Sequence, residues 1–443
     1  MEHNVKSDYE RTLEELYAMM PDFQQVGAGA YKPGLERVEA FDRHLGNPSR
    51  DFSAIHVAGT NGKGSVSHML ASILTASGYR TGLYTSPHLF DFRERIRVDG
   101  EMIPESEVVG FAERNMEKMR ELRLSFFEAT VGMAFEWFSD SGVEVAVIET
   151  GLGGRLDATN IIKPEISIIT NIGLEHTSFL GDTLAAIAGE KAGIIKAGVP
   201  VVIGERGAET DPVFEQAAAG KGSRIFFAED IFTAKKVHEE QGLVEYRITT
   251  PKQAVYHFRL DMAGDYQRHN LLTVLGTIHV LNRHTRIGAS DRAVKEGLAS
   301  TALNTGIAGR WHTLVQAPLI VCDTGHNAHG LREVVAQIDR QSFDKLYMVL
   351  GVADDKDLAA ILPLLPGGAH YIFTQASVRR AMPAVELEAA AAAYGLRGEM
   401  ASDVPAAVKR ARSLAAPGDM IFIGGSSFVV ADIPRDMFDS EDE

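Results

Sequence analysis

A glycine-rich segment that holds a lysine and a serine follows a short apolar run near the start of the chain. Residues 56–65 read His-Val-Ala-Gly-Thr-Asn-Gly-Lys-Gly-Ser, and a helical pattern continues from Val66. A strand, a glycine turn and a helix N-terminus together present backbone N–H groups and partial positive charge to phosphate oxygens. A plain glycine turn would not need the Lys-Gly-Ser ending. The pattern predicts binding of ATP or GTP by Gly59, Thr60, Asn61, Gly62, Lys63, Gly64 and Ser65.

Size and charge limit the class of protein. At 443 residues the chain exceeds the size at which one hydrophobic core keeps growing, so we expect two domains. A formal net charge of −16 argues against a nucleic-acid-binding protein, which needs a basic face. The single cysteine, Cys322, lies in an apolar run and is predicted to be buried rather than nucleophilic. No secretory signal and no membrane-spanning run is present, so we expect a cytoplasmic protein without membrane contact.

Val- and Ile-rich runs alternate with helical patterns in the first part of the chain. Continuous apolar strands separated by helices predict a parallel sheet covered on both faces, with ligands beyond the carboxyl ends of the strands. Alternation between residues 226 and 260 predicts an antiparallel edge pair. The predicted strands are 54–57, 80–84, 143–148, 166–170 and 199–203.

A second, shorter series of strands and helices begins after residue 310. The predicted fold class is therefore α/β, with two three-layer domains. The first is a P-loop nucleotide-binding sheet domain over residues 1–303, and residues 304–309 form a linker. The second is a smaller Rossmann-like domain over residues 310–443.

Polar residues follow several of the predicted strands. Glu149 ends a strand before a glycine-rich loop, where a carboxylate either binds magnesium or caps the turn. Within that loop Arg155 and Asp157 can form a salt bridge. His176 follows the next strand, but Mg²⁺ prefers oxygen, so a surface histidine is an equal alternative. Lys191 lies on a predicted helix, where solvent exposure is the default for a lysine.

Two further groups of residues can recognise charged ligands. Ser86, Pro87 and His88 follow the second strand, and three arginines between residues 93 and 97 come next. The arginines either hold an anionic substrate or form a solvated, self-paired charge run. In the second domain Asp323 ends a strand and Arg310 follows the linker, so both either face a ligand or form an interdomain salt bridge.

Five motifs in this order resemble the folylpolyglutamate synthase/dihydrofolate synthase family of the Mur ligase superfamily. They are Gly59-Thr-Asn-Gly-Lys-Gly-Ser65, Thr85-Ser-Pro-His-Leu89, Glu149-Thr-Gly-Leu-Gly-Gly-Arg-Leu-Asp-Ala-Thr-Asn160, Glu175-His-Thr177 and Glu190-Lys-Ala-Gly193. The inserted Gly64 is this family's own variant of the phosphate loop. The resemblance implies an ATP-dependent amide ligase, a tetrahydrofolate or dihydrofolate synthase. It would join L-glutamate to dihydropteroate or a reduced folate through an acyl phosphate.

The resemblance also implies roles for individual residues. The implied magnesium ligands, for two ions, are Ser65, Ser86, Glu149, His176 and Lys191, the last resembling a lysine that is carbamylated in relatives. The implied nucleotide contacts beyond the loop are Asn270, Arg310 and Asp323. The implied contacts to folate are Ser86, Pro87, His88, Arg93 and Arg95, and those to glutamate are His326 and Ser426. The implied catalytic residues are Lys63, His176, Lys191 and His326.

Two motifs depart from the family's usual form. Asp323-Thr-Gly-His-Asn327 replaces Asp-Gly-Ala-His-Asn, and Ala308-Gly-Arg310 replaces Pro-Gly-Arg, with the hydrogen-bonding positions kept.

Two other functions stay open. A cell-wall Mur ligase would carry a further N-terminal domain, for which the roughly 50 residues before the loop are too few. A nucleotide-binding switch would leave the carboxylate, histidine and lysine loops unexplained. We expect a monomer, and the sequence leaves a monovalent-cation requirement open.

Overall fold

The computed structural model describes residues 6–20, 34–240, 242–434 and 437–438, which divide into two compact units. The first unit extends to Asp261 and resumes over Gln267–Ile307, and the second comprises Met262–Tyr266 and the chain from Ala308. The short segment 262–266 had been predicted to lie in the first domain. The helix Thr301–Thr305, with Gly306 as its C-cap, overlaps the first residues of the predicted linker 304–309.

The first unit is built on an eight-stranded sheet. Its strands are β1 (Ser53–Ala58), β2 (Thr81–Tyr84), β3 (Ile96–Val98), β4 (Glu101–Met102), β5 (Val145–Glu149), β6 (Ile166–Ile169), β7 (Val201–Ile203) and β8 (Ile225–Phe227). Their order is β4-β3-β2-β5-β1-β6-β7-β8, and all neighbours from β2 to β8 are parallel. The carboxyl ends of β2, β5, β1 and β6 therefore lie side by side, at what we call the carboxyl edge.

Helices cover the sheet, and every residue of β5 is buried because both of its faces are covered. A capping box at Ser125, whose hydroxyl accepts from the Glu128 N–H, starts one of the covering helices. The α-helices of the unit are Asp8–Met19, Glu36–His44, Lys63–Ala76, Glu105–Glu121, Phe126–Asp140, Thr177–Leu180, Leu184–Ala192, Asp211–Gly220, Ala228–Ile231, Gln267–His284, Asp291–Ala299 and Thr301–Thr305.

A separate antiparallel sheet replaces the predicted edge pair. It consists of β9 (Thr233–Glu240), β10 (Leu243–Thr249) and β11 (Val255–Leu260), in the order β11-β10-β9. Val244, Tyr246 and Ile248 alternate along β10 and are buried, which is the pattern that the sequence showed. The prediction was wrong in the number of strands and in attaching them to the larger sheet.

The second unit contains a six-stranded sheet. Its strands are β12 (His312–Gln316), β13 (Leu319–Asp323), β14 (Leu346–Leu350), β15 (His370–Phe373), β16 (Arg397–Met400) and β17 (Met420–Gly424), in the order β12-β13-β17-β14-β15-β16. All pairs are parallel except β12 with β13. The α-helices are Ala328–Ile338, Leu358–Ile361, Ala384–Ala392, Val404–Leu414 and Ser427–Ala431. Cys322 is buried in β13, as predicted. The two sheets, one in each unit, confirm the predicted α/β class with two sheet domains.

Candidate active site

The phosphate loop leaves β1 and turns directly into the helix Lys63–Ala76. Gly62 has a φ of 82°, and a Cβ there would lie 2.2 Å from Asn270 Oδ1. A Cβ on Gly59 would lie 1.8 Å from the Thr170 hydroxyl oxygen. Both positions therefore need glycine, because larger residues would collide with neighbouring elements. The backbone turns tightly enough to present its N–H groups to an anion at the start of the helix.

Residues at the end of β6 hold this loop in place. The Thr60 N–H donates to the Asn171 carbonyl oxygen and the Asn61 N–H to Asn171 Oδ1, both at 2.9 Å. The Thr170 hydroxyl donates to the Asn61 carbonyl oxygen at 2.6 Å. Neither Thr170 nor Asn171 was predicted as a site residue. Their only signal was a polar pair directly after a buried strand.

Gln267, which was not predicted as a site residue, connects the phosphate loop to Asn270, the predicted nucleotide contact. Its side chain is fully buried at the start of the helix Gln267–His284. Nε2 of Gln267 donates to Ser65 Oγ at 3.3 Å, and Nδ2 of Asn270 donates to Gln267 Oε1 at 2.7 Å. One amide thus orients both the predicted metal ligand and the predicted nucleotide contact. The spacing of three residues between Gln267 and Asn270, which places both on one helix face, was the available signal.

Glu149 and Ser86 meet at the carboxyl edge because they follow neighbouring parallel strands. Tyr84 of β2 is paired with Ile148 of β5. The Ser86 N–H donates to Glu149 Oε2 at 3.2 Å, and Glu149 is buried. The predicted carboxylate therefore lies beside the predicted serine.

The glycine-rich loop after Glu149 is organised by Asp157. This buried carboxylate accepts from the Leu152 N–H at 2.8 Å and from the Thr159 hydroxyl at 2.5 Å. Burial raises its pKa. The hydroxyl of Thr159 also contacts His56 Nε2 at 2.8 Å, so a buried chain of polar groups runs from β1 to the loop.

The salt bridge that Arg155 makes in the described structure is to a glutamate outside its own loop. Arg155 pairs with Glu190 on the helix Leu184–Ala192, at 2.9 Å. The Arg155 N–H also donates to the Glu190 carbonyl oxygen at 2.8 Å. Both bonds join the glycine-rich loop to the helix that carries Lys191.

Lys191 is buried, with 4% of its surface exposed, so the default expectation of a solvated lysine was wrong. Its Nζ donates to the Gly59 carbonyl oxygen at 2.8 Å. Burial, together with the charge of Lys63, lowers the pKa of Lys191 to about 7, although Glu175 and Asp157 oppose that change. Gly193, two residues later, was the available signal for a closely packed helix, because a Cβ there would lie 2.3 Å from Arg155 Cβ.

His176 lies at the same edge, after β6. It is the N-cap of the short helix Thr177–Leu180 and has a φ of 51°. The Gly173 N–H, three residues earlier, donates to Thr60 Oγ1 at 3.0 Å. The loop that carries His176 is therefore attached to the phosphate loop.

The donor set at the carboxyl edge fits a magnesium ion that binds together with a nucleotide. Within the described residues, no three His, Cys, Asp or Glu side chains gather into a metal-binding group. The buried Ser65 hydroxyl and Glu149 carboxylate are oxygen donors, which Mg²⁺ prefers, and phosphate oxygens complete its coordination in nucleotide sites.

The arginine segment is largely engaged in contacts of its own. Arg93 pairs with Asp91 at 2.7 Å and with Glu105 at 3.4 Å, which agrees with the self-paired alternative. Arg95 is buried, and its Nε donates to His88 Nδ1 at 2.8 Å. Burial and the charge of Arg95 lower the pKa of His88 to about 3, so this imidazole is neutral with its proton on Nε2. A role of these residues in folate binding stays a prediction.

In the second unit, Asp323 ends β13 as a buried hydrogen-bond acceptor. It receives the Trp311 N–H and the Gly325 N–H at 2.7 Å each, and the Tyr266 hydroxyl at 2.6 Å. Burial raises the pKa of Asp323 against these donors, and burial next to Asp323 raises the pKa of Tyr266. Tyr266 was missed, because a tyrosine 57 residues earlier gives no sequence signal.

Arg310, His326 and Ser426 lie around the same end of that sheet. Asp323 is in register with Gly424 of β17, so the segments that follow both strands leave the sheet side by side. His326 Nδ1 donates to the Thr324 carbonyl oxygen at 2.9 Å. Ser426 is the N-cap of the helix Ser427–Ala431, and its hydroxyl accepts from the Phe428 N–H at 3.1 Å.

Two family models match the chain over most of its length. The "Mur ligase middle domain" matches residues 57–278, and the "Mur ligase, glutamate ligase domain" matches residues 309–427. Together with the two sheets and the phosphate loop, these matches define a Mur ligase.

Comparison with a curated relative identifies the family within the Mur ligases to which the chain belongs. The chain is 31% identical over 418 residues to a dihydrofolate synthase/folylpolyglutamate synthase of Bacillus subtilis (strain 168), covering 91% of this chain and 95% of the relative. It therefore belongs to the folylpolyglutamate synthase/dihydrofolate synthase family and is an ATP-dependent ligase, which confirms the predicted family. A relative from Haloferax volcanii, named a probable bifunctional folylpolyglutamate synthase/dihydropteroate synthase, is 34% identical over 412 residues, and the chain spans 48% of its length.

Solved structures of similar proteins contain ligands of the expected kinds. Escherichia coli FolC in complex with DHPP and ADP has a TM-score of 0.83 at 28% identity, with 96% of each chain covered. A bifunctional folylpolyglutamate synthase/dihydrofolate synthase with Mn, AMPPNP and L-glutamate bound has a TM-score of 0.81 at 28% identity, covering 96% of this chain and 97% of the other. These similarities support a nucleotide and a divalent metal as ligands. Among the described helices, none is both long and apolar enough to cross a bilayer.

Proposed function

We propose that this protein joins L-glutamate to the carboxylate of a folate, converting ATP to ADP and phosphate. The observation that best supports this function is the position of the phosphate loop, with Lys63 and Ser65, beside Ser86 and the buried Glu149 at one carboxyl edge. A loop that binds phosphate next to a metal-binding carboxylate suits transfer of a phosphoryl group. The structural relatives named above contain the corresponding ligands.

The reaction takes place in two steps. In the first, a carboxylate oxygen of dihydropteroate or of the folate tail attacks the γ-phosphorus of ATP, and the bond to ADP breaks. In the second, the amino group of glutamate attacks the carbonyl carbon of the acyl phosphate, phosphate leaves, and the nitrogen loses a proton. Lys63 stabilises the negative charge of the transferred group. Magnesium, held by Ser65, Ser86, Glu149 and His176, would neutralise the triphosphate that otherwise repels the carboxylate.

We further propose that Lys191 is carbamylated in the active protein. Only the neutral amine adds CO₂, forming a carbamate and releasing one proton, and a pKa of about 7 makes a large part of this amine neutral near pH 7. The carbamate would supply oxygen donors close to Gly59, whose carbonyl oxygen Lys191 already contacts. A ¹³C NMR spectrum with ¹³C-bicarbonate should show a carbamate signal in the wild type and none in Lys191→Met. Its absence from the wild type would refute this modification.

The remaining assignments follow the family and stay predictions. We propose nucleotide contacts by Asn270, Arg310 and Asp323, and glutamate contacts by His326 and Ser426. We propose that Ser86, Pro87, His88, Arg93 and Arg95 line the folate site. Two magnesium ions, a monovalent cation, a monomeric state and a cytoplasmic location stay predictions as well.

One assay tests the proposed function against its alternatives. Phosphate release from ATP is measured with L-glutamate plus dihydropteroate, tetrahydrofolate or a UDP-muramyl substrate. We expect glutamate-dependent release with at least one of the two pterin substrates, and the pair together decides whether the enzyme performs one or both folate steps. Turnover with the UDP-sugar alone would instead identify a cell-wall ligase. Nucleotide binding without any glutamate-dependent release would identify a switch.

A further inference from the structure

The backbone of Arg310 is held by the end of the neighbouring strand β13. The residues on either side, Gly309 and Trp311, have φ values of 69° and 45°. A bulky residue such as tryptophan rarely adopts a positive φ, so other contacts must maintain it. The Trp311 N–H donates to Asp323 Oδ2 at 2.7 Å, and the Thr324 N–H donates to the Gly309 carbonyl oxygen at 3.0 Å. These two bonds keep Arg310 at the carboxyl end of β13.

The side chain of Arg310 is held by the hydroxyl of Thr324. Nη1 of Arg310 donates to Thr324 Oγ1, and this hydroxyl donates onward to the Gly309 carbonyl oxygen at 3.1 Å. Thr324 is buried, so water competes little for its hydroxyl. A glycine at this position, as in the usual form of the family motif, would provide no such oxygen.

The contacts of Arg310 leave one side of its guanidinium group available. In the described part of the chain Arg310 makes no ion pair, and its two side-chain hydrogen bonds both start from Nη1. The N–H groups of Nε and Nη2 point along the other edge of the planar group, which matches two oxygens of a phosphate. The charge of Asp323 acts on Arg310 without forming an ion pair with it in the described residues. An arginine that is fixed at one nitrogen and has no ion pair at its other edge is suited to binding an anion.

We propose that Thr324 is a positioning residue for Arg310 and fixes the Nε/Nη2 edge for the phosphate oxygens of the nucleotide. This inference rests on the proposed function of Arg310 as a nucleotide contact. A side chain that is immobilised before binding loses less freedom on binding, so the hydroxyl should tighten nucleotide affinity. It should leave the affinity for glutamate unchanged.

The test compares Thr324→Val, which keeps the shape but removes the hydroxyl, with Thr324→Ser, which keeps the hydroxyl. ADP affinity is measured by calorimetry, and KM and kcat are measured separately for ATP and glutamate. We expect Thr324→Val to weaken ADP binding and raise KM for ATP by about tenfold, with KM for glutamate within about twofold. Thr324→Ser should match the wild type. A merely structural role would lower thermal stability without this selective change in KM.

A double-mutant cycle shows whether the hydroxyl acts through the guanidinium. In an Arg310→Ala background, Thr324→Val should change ADP affinity by less than about twofold, because the group that it positions is gone. An equal loss in both backgrounds, or a Thr324→Val enzyme with wild-type ADP affinity, would overturn the proposal. If Thr324→Val does not fold, Thr324→Gly replaces it with the same expectation. If the wild type binds ADP but does not ligate glutamate, the proposed function is refuted, and the ADP affinities still test the role of Thr324. A wild type that does not bind ADP would refute both the proposed function and the role of Thr324.

Discussion

The ammonium group of Lys191 donates a hydrogen bond to the carbonyl oxygen of Gly59, 2.8 Å away and 132 residues earlier in the chain. Gly59 is the first residue of the phosphate loop. A buried lysine therefore touches the backbone that the nucleotide is proposed to bind, and its lowered pKa shows that the site disfavours the charged form. A group kept in such a costly environment indicates a function rather than a contribution to stability.

Replacing Lys191 should separate activity from stability. We expect Lys191→Met to lose ligation by at least about a hundredfold, because the group beside the phosphate loop is removed. Its thermal stability should equal or exceed that of the wild type, because an apolar side chain of similar length fits a buried position at lower cost. Turnover assays and thermal unfolding check both parts, with the exposed Lys163→Met as the control. A variant that is active, or that is inactive only because it unfolds, would contradict this prediction.

The role of Glu149 is testable through the metal dependence of turnover. Glu149→Gln keeps the shape and one oxygen but removes the charge, so the magnesium concentration for half-maximal turnover should rise about tenfold or more. Glu144→Gln is a matched control, because Glu144 is an exposed glutamate just before the amino end of the same strand. An unchanged magnesium titration for Glu149→Gln would remove this residue from the metal site.

Replacing Gln267 should show whether its two hydrogen bonds matter for the site. Gln267→Met keeps the length of the side chain but loses both the donor to Ser65 and the acceptor for Asn270. We therefore expect Gln267→Met to lower turnover about tenfold and to weaken ADP binding. It should also reduce stability by roughly 1–3 kcal/mol, because buried polar groups lose their partners. Turnover assays and calorimetric ADP titrations check this prediction, and wild-type values in both would show that neither Ser65 nor Asn270 depends on Gln267.

His56 should make the stability of the first unit depend on pH. Burial, with a smaller effect of Lys196, lowers its pKa to about 3, so the native state excludes a proton that the unfolded state binds below about pH 6.5. Stability should therefore be unaffected by His56 above pH 6.5 and fall by about 1.4 kcal/mol per pH unit as the pH drops from 6.5 towards 3. His56→Gln, which can still donate to Thr159, should show a shallower slope. Urea unfolding at pH 7, 6 and 5 measures the free energy of unfolding of the wild type and of His56→Gln. The same dependence on pH in both proteins would show that His56 is not its cause.

Much of the site could be predicted because the parallel arrangement of the strands fixes where the side chains at their carboxyl ends lie. Parallel strands bring their carboxyl ends to one edge, so Glu149 and Ser86 were expected to lie near the phosphate loop before any contact was known. The motif of Lys63 and Ser65 was also readable, because a glycine turn at a helix start has few other uses.

Other parts of the site could not be read from local patterns. A lysine on a helix is normally solvated, and only tertiary packing against Gly59 reverses that expectation for Lys191. Tyr266 contacts Asp323, 57 residues later, and Gln267 contacts Ser65, 202 residues earlier, so neither of these contacts gave a local signal. The antiparallel sheet shows the same limit, because alternation identifies strands but not the sheet that they join.

Strand β1 has a hydrogen-bonded neighbour on each side, β5 and β6. The phosphate loop begins directly after the last residue of β1, Ala58. Amide hydrogens in such an interior strand exchange with solvent only when the surrounding structure opens as a whole. Gradual heating should consequently leave nucleotide affinity intact until the cooperative melting of this unit, and then abolish it in a single event.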